Sequence, residues 1–362
     1  MSRKPYEIAA YYFPQWHADP QNELKFGEGW SEWIGLRQAK KRFPGHEQPK
    51  TPLWGELDEA DPLVSEIQIN AAADHGITCF IYDWYWDLGS SQLGPFLHRA
   101  LEEGYLQAPN KDRLDFALMW ANHNPINRER FEAMADYIVE HYFSYEHYWK
   151  VEGGLYFSIY EMHTLVQGLG GVTATRDALQ SFRDKAKAAG YGELHINAVE
   201  WGLQDTHKAI LGEDSNVFIQ LVGIDSVTSY VWFHNEVPQG FPEMSYDEGA
   251  VIANRLWTAF TDQFIVPYYP NVTMGWDPSP RTDQANDYIQ GDYPNTSIYV
   301  GNTPSAFQRS LEQVKEYLDL QQLEKPKIVT LYAWNEWTEG GYLEPDTIHG
   351  YGYLEAIKAV FG

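Results

Sequence analysis

Eight short apolar runs separated by amphipathic, helix-like segments constrain this chain more than any other feature. They fall at residues 8–13, 77–83, 114–121, 155–160, 194–199, 224–230, 264–268 and 328–334. Runs of this length bounded by turn residues read as buried strands, and strands that alternate with helices pair in parallel. Eight is the number that closes a parallel sheet on itself, so the expected fold is an α/β (β/α)8 TIM barrel with enlarged βα loops. An open, doubly wound sheet is the competing arrangement, disfavoured because no Gly-x-Gly-x-x-Gly follows the first run.

Helix punctuation fits the same scheme. Asp61-Pro62 reads as an N-cap with Pro in the first turn, and His75-Gly76 as the corresponding stop. A helix over 176–189 closes at Gly190, another occupies 245–261, and Thr303-Pro304 opens a third that runs to about Leu320. No Pro/Ser linker or low-complexity segment interrupts the chain, so residues 1–362 are expected to form one catalytic domain. The first βα connection, at about 14–60, far exceeds the usual ~2–6 residues. It carries Trp16, Trp30, Trp33, Phe43 and Trp54, an apolar content that argues for an ordered wall beside a cleft.

Aromatic residues make up 15% of the chain, with 14 Trp and 25 Tyr. An indole N–H needs a partner when buried, so many of these rings are expected to line a cleft with one apolar face and one wet edge. Sugars suit such a surface. The net charge of −25 argues against nucleic acid, whose binding rests on cations neutralising phosphates. Cys79, the single cysteine, excludes an internal disulfide framework and a Cys-based zinc site. No apolar stretch is long enough to span a membrane. The N-terminal apolar run ends at Pro14, too short for a signal segment, which makes the chain cytoplasmic as written, or secreted or periplasmic if a leader has been removed.

The polar residues cluster where the runs end. The first run leads to Tyr12, Trp16 and His17, the second to Asp83 and Trp84, the third to Trp120, Asn122 and His123. The others lead to Tyr160, to Glu200 and Trp201, to Tyr230, to Trp276, Asp277 and Arg281, and to Trp334, Asn335, Glu336 and Glu339. In a barrel these ends converge on the rim that carries active sites. Glycosidic cleavage needs two carboxyl groups flanking the anomeric carbon, and Glu336 and Glu339 are the candidate pair. In a continuing strand an odd offset would put them on opposite faces. They converge only if the chain turns just after Glu336, and Gly340-Gly341 supplies permissive backbone there. Flanking Trp side chains should lower the polarity and raise one carboxyl pKa, as a general acid requires.

Several blocks together resemble the WbsX-like family, related to glycoside hydrolase family 99, the endo-α-mannosidases. They are Tyr12-Phe13-Pro14-Gln15-Trp16-His17, Gly29-Trp30-Ser31-Glu32-Trp33, Phe43-Pro44-Gly45-His46-Glu47-Gln48-Pro49 and Tyr82-Asp83-Trp84-Tyr85-Trp86. They continue through Trp120-Ala121-Asn122-His123-Asn124, Gly275-Trp276-Asp277 with Pro280-Arg281, and Trp334-Asn335-Glu336-Trp337-Thr338-Glu339-Gly340. The resemblance implies a retaining glycoside hydrolase in which Glu336 takes the proton of the substrate's 2-hydroxyl and Glu339 is the general acid/base. It implies sugar contacts in these blocks, Trp33, His46 and Trp276 among them. Asp83 departs from the aromatic pattern of the relatives and stands as a binding residue, an orienter of the pair, or a nucleophile in a different mechanism. Trp276, Asp277 and Arg281 read as a loop over the cleft, or as a structural Arg–Asp pair.

His17, His46 and His123 lack metal-ligand spacing, so no metal and no cofactor is expected. The expected partner is an oligo- or polysaccharide. A glycosyltransferase of surface-polysaccharide synthesis is the alternative, but no Gly-rich phosphate turn or Asp-x-Asp metal motif is evident. A non-catalytic glycan-binding barrel is the third reading, and it would not need both carboxylates.

Overall fold

The computed structural model describes residues 5–86, 94–212, 214–321 and 327–362. Its barrel strands are β1 (Tyr6–Tyr12), β2 (Cys79–Trp86), β3 (Asp115–Trp120), β4 (Gly154–Ile159), β5 (Leu194–Val199), β6 (Ser226–Thr228) and β8 (Lys327–Tyr332). Between the last two lies β7, split by Pro270 into Tyr268–Tyr269 and Asn271–Thr273. All neighbours pair in parallel, and the ring closes because the first half of β7 bonds β6 while its second half bonds β8. Pro270 has no N–H to give either neighbour, and the strand divides where that donor is missing.

Every barrel strand falls within a few residues of its apolar run, and the β5 bounds are those expected. The seventh run is displaced most. Residues 264–267 form the lead-in from the helix Tyr246–Gln263, with Ile265 half exposed. The strand itself contains Asn271 and Thr273, buried polar residues inside the barrel. Their groups are satisfied there: Asn271 Nδ2 donates to Thr330 Oγ1 at 3.2 Å, and Thr273 Oγ1 donates to Asn271 Oδ1 at 2.9 Å. A polar barrel interior of this kind hides a strand from hydrophobic patterning.

The surrounding helices start where capping chemistry predicts. Asp61, Ser245 and Thr303 each accept a backbone N–H of the first turn from Leu63, Glu248 and Ala306, satisfying donors that have no partner within the helix. The helix Pro304–Leu320 buries Phe307, Leu311, Val314 and Leu318, one stripe at helical spacing that packs on the sheet. No helix among the described residues is long and apolar enough to cross a membrane.

The long connection after β1 contains two short helices, Pro20–Phe26 and Trp33–Gln38. Apart from Phe13 at its start, it does not line the central cavity. Phe13, Trp16, Trp33 and Leu36 instead form a separate apolar cluster with Trp337 and Tyr342, so the loop packs behind the segment that carries the glutamates. Arg42 extends this support, donating to Thr282 Oγ1 at 2.6 Å and to the Asn286 carbonyl at 3.0 Å.

Candidate active site

The chain does turn immediately after Glu336. Asn335–Glu336 and Gly341–Tyr342 form a two-stranded antiparallel ladder, and the residues between them, Trp337–Glu339, make one turn of 3₁₀ helix. A 3₁₀ turn repeats every three residues, so side chains three apart eclipse. That periodicity, absent from a strand, lets Glu336 and Glu339 line the same cavity. The turn closes at Gly340, whose φ of 69° lies in the left-handed region. A Cβ there would also come within 2.7 Å of Asp277 Cβ, so both conformation and space require glycine. Asp277 N donates to the Glu339 carbonyl at 2.5 Å, tying the loop after β7 to the turn.

Arg281 holds the two carboxylates together. One terminal nitrogen donates to Glu336 Oε1 at 2.5 Å and the other donates to Glu339 Oε1. Its Nε donates to Thr338 Oγ1 at 3.0 Å, inside the same turn, and its guanidinium lies 5.2 Å from the Phe13 ring centroid. A third carboxylate, Glu32, approaches the guanidinium at 3.6 Å. The environments of the pair differ. Glu339 also accepts from the hydroxyls of Tyr332 and Tyr293. Glu336 is buried (2% exposed). Burial pushes its carboxyl well above the usual glutamate range, with Arg281 opposing and Glu339 reinforcing the rise.

The cavity has a volume of about 460 Å³ and opens at the C-terminal ends of the strands, within the roughly 300–1,000 Å³ of small-ligand sites. Asp83 lines it beside Tyr230, whose hydroxyl donates to Asp83 Oδ2 at 2.7 Å. Burial raises the Asp83 carboxyl well above its ordinary range, while the Tyr230 bond works against the rise. His234 also lines the cavity, hydrogen-bonded to the Tyr160 hydroxyl at 3.1 Å. Burial depresses it to about 3, which leaves it a neutral imidazole near pH 7. Arg281 is the single Lys or Arg among the described lining residues, beside four acids: Asp83, Glu161, Glu336 and Glu339. Among the described residues no group of His, Cys, Asp and Glu could hold a metal ion.

Of the residues expected at the site, Glu336, Glu339, Asp83, His123, Tyr160, Tyr230, Trp276 and Arg281 line this cavity. The remainder lie behind it. Trp84 and Trp120 point outward from β2 and β3, Trp84 onto the Tyr142 hydroxyl and Trp120 toward Phe131. Successive side chains of a strand alternate faces, and the inward neighbours Tyr85, Met119 and Ala121 line the cavity in their place. Tyr12 bonds Gln68 at 3.0 Å, and Trp334 packs on Phe80. Asn335 clamps both backbone polar groups of Phe13, at 2.8 and 3.0 Å, and Asn122 does the same for Glu161, at 2.8 Å each. Trp16 and Trp33 pack against each other at a tilt of 46° in the cluster behind the turn, and His17 pairs with buried Glu59 at 2.9 Å.

His46 and Asp277 form their own buried pair at 2.8 Å, so Asp277 partners His46 and Gln48 while Arg281 partners the glutamates. The expected Trp-lined cleft is also revised: only Trp201 and Trp276 among the described Trp residues line the cavity. Interior partners satisfy many of the other indoles, as Leu57 O does Trp33 and Glu344 does Trp337. Sequence reasoning missed Phe233, His234, Tyr293 and Glu32. The first three lie on loops outside any apolar run, and Glu32 was visible only as part of a family block.

Comparisons with known proteins fit this architecture. Solved structures similar to it include a "glycoside hydrolase-like protein" (14% identical, TM-score 0.63, covering 100% of this chain and 95% of the other). Another is the GH99 endo-α-mannosidase of Bacteroides thetaiotaomicron (14% identical, TM-score 0.55, 98% and 96% covered). At such identities the likeness is one of fold. Two curated relatives, both described as uncharacterized protein WxcX, come from strains of Xanthomonas campestris pv. campestris. They are 25% and 26% identical over 98% of this chain. The chain spans 49% of the length of each. The family described as Glycosyltransferase WbsX matches residues 8–129 and 125–357. With nearly the whole chain matched, the protein belongs to the WbsX family.

Proposed function

We propose that this barrel is a retaining glycoside hydrolase acting on an α-linked, mannoside-like glycan. The observation that carries the reading is the 3₁₀ turn that aims Glu336 and Glu339 into one cavity beneath Arg281. Glu336 removes the proton of the sugar's 2-hydroxyl, and that oxygen displaces the leaving group to give a 1,2-anhydro sugar. Glu339 protonates the departing oxygen, then takes a proton from the water that attacks the anomeric carbon, while Glu336 returns its proton to the 2-oxygen as the anhydro ring opens, so the anomeric configuration is retained and both carboxyls are restored. The raised pKa expected of the acid falls instead on Glu336, and a buried carboxylate with a raised pKa is a stronger proton acceptor than an exposed one, which suits Glu336 as the base. Likeness in fold to an endo-α-mannosidase supports the choice of sugar class.

The family's description supports a second reading, transfer of a sugar to an acceptor. The cavity charge speaks against a nucleotide-sugar donor, because its one Arg is already engaged by two carboxylates and no other Lys or Arg among the described lining residues faces a diphosphate. A glycan panel incubated with wild type, Glu336→Gln and Glu339→Gln tests the reading. Reducing ends should appear at least about a hundredfold faster with wild type than with either variant. Product that forms only when a nucleotide-sugar is supplied would refute hydrolysis in favour of transfer.

A further inference from the structure

Asp83 has a second carboxylate oxygen that the proposed chemistry does not use. The residue is 3% exposed and lines the cavity. Oδ2 is taken by the Tyr230 hydroxyl, whereas Oδ1 is buried with no hydrogen-bond partner in the protein. A buried polar atom left unpaired is costly, and native structures rarely tolerate one without a reason. Here the surroundings fix the carboxyl in that pose. The Tyr230 ring packs on Tyr11 (centroids 4.7 Å apart), Tyr332 (5.1 Å) and Tyr160 (5.4 Å), so its hydroxyl is not free to swing away. On its strand, Asp83 sits between outward-facing Tyr82 and Trp84, both buried, which leaves the carboxyl no route out of the cavity.

We propose that Asp83 is a specificity-determining residue, whose Oδ1 forms a hydrogen bond with one ring hydroxyl of the bound sugar while Tyr230 holds Oδ2. A sugar hydroxyl both donates and accepts, so it satisfies the carboxyl in either protonation state. The substrate class that follows is a pyranose with a free hydroxyl at the position reaching this side of the cavity, and a sugar substituted or deoxygenated there is discriminated against. This inference rests on the carbohydrate reading of the site and not on the hydrolytic step.

The test is binding, measured by NMR titration in the Glu339→Gln background so that no substrate is consumed. The probes are mono- to trisaccharides of mannose, glucose, galactose and rhamnose, with the monodeoxy forms of whichever binds. Asp83→Ala should weaken the parent sugar about tenfold or more. One monodeoxy analogue should bind Asp83→Ala and the Asp83 protein alike, because the contact is already gone. If Asp83→Ala does not fold, Asp83→Leu, close to Asp in shape and without a polar atom, provides the same cycle. A merely structural Asp83 would weaken every analogue by one common factor, and that result overturns the proposal, as does unchanged affinity for the parent. Absence of binding by any sugar overturns it together with the carbohydrate reading. Binding with single-position coupling but no hydrolysis by wild type upholds it and removes only the reaction.

Discussion

Replacing Arg281 with Met isolates what the guanidinium does. The substitution keeps much of the side-chain volume and removes the charge that faces Glu336, Glu339 and Glu32. Breaking a buried ion pair from one side costs about 3–5 kcal/mol, because the remaining charge is left uncompensated. Here the protein has an escape, since carboxyls that lose Arg281 rise further in pKa and bind protons. Arg281 opposes the burial-driven rise at both Glu336 and Glu32, so both rise when it is gone.

The sign then follows from linkage. A carboxyl whose folded-state pKa is raised stabilises below its unfolded value of about 4.3 and loses that contribution as pH climbs through the folded value. The deficit of Arg281→Met should therefore approach about 3–5 kcal/mol at pH 8 and fall to less than half of that at pH 5. Urea denaturation of wild type and variant across that range measures it. Arg281→Lys should recover part of the stability at pH 8, because one ammonium pairs a carboxylate but cannot fork between two. A deficit of the same size at every pH would refute the charge argument and leave only lost packing.

Three further outcomes follow from the geometry. Gly340→Ala should destabilise the protein by at least about 2 kcal/mol and abolish turnover, because it combines a left-handed residue with the approach of Asp277. Gly45→Ala, at a φ of 87° with nothing near its Cβ, should cost only about 1–2 kcal/mol and serves as the control in thermal melts. Glu200 and Glu344 lie outside the cavity lining, and burial pushes each up to about 7 from the ordinary 4.5. Each shift is worth up to roughly 3 kcal/mol of stability that is present below pH 4.5 and lost as pH rises through 7, so Glu200→Gln and Glu344→Gln should each flatten the pH–stability curve between about pH 4.5 and 7. Turnover by the wild type should fall on the acidic side at a pH above the ordinary glutamate range, set by protonation of Glu336, and a kcat/KM profile flat down to pH 4.5 would contradict its role as base.

The barrel was legible because its strands are apolar at ordinary strand length, and the helix caps at Asp61, Ser245 and Thr303 carry their own side-chain signature. The seventh strand was less so, since Asn271 and Thr273 pair inside the barrel and look like loop residues. At the site, large aromatics drew attention to Trp84 and Trp120, whereas strict alternation from Asp83 selects Tyr85 on the same strand. Asp277 and Arg281 are four apart in sequence and invited pairing. Their actual partners come from residues 46–48 and from the turn after β8, connections that only the fold supplies. The glutamate spacing was the reverse case. Its odd offset looked unfavourable in a strand, and the neighbouring glycines indicated the turn that resolves it.

The break in β7 has a consequence for how the molecule fluctuates. Its first half shares only two residue pairs with β6, Tyr268 with Val227 and Tyr269 with Thr228, where β2 and β3 share six. Side chains seal the seam instead: Thr228 Oγ1 donates to the Tyr269 carbonyl at 2.8 Å, Ser229 meets the Tyr268 hydroxyl at 2.7 Å, and the Trp232 and Trp257 indoles both donate to the Asn271 carbonyl at 3.0 Å. Cooperative opening units in proteins follow such thin boundaries. An opening along this one would carry away Tyr230 from one bank and Trp276 with Arg281 from the other. Deuterium uptake in the β6–β7 region and loss of sugar binding should then share one opening free energy, making the hinge of the barrel and the integrity of its cavity a single thermodynamic event.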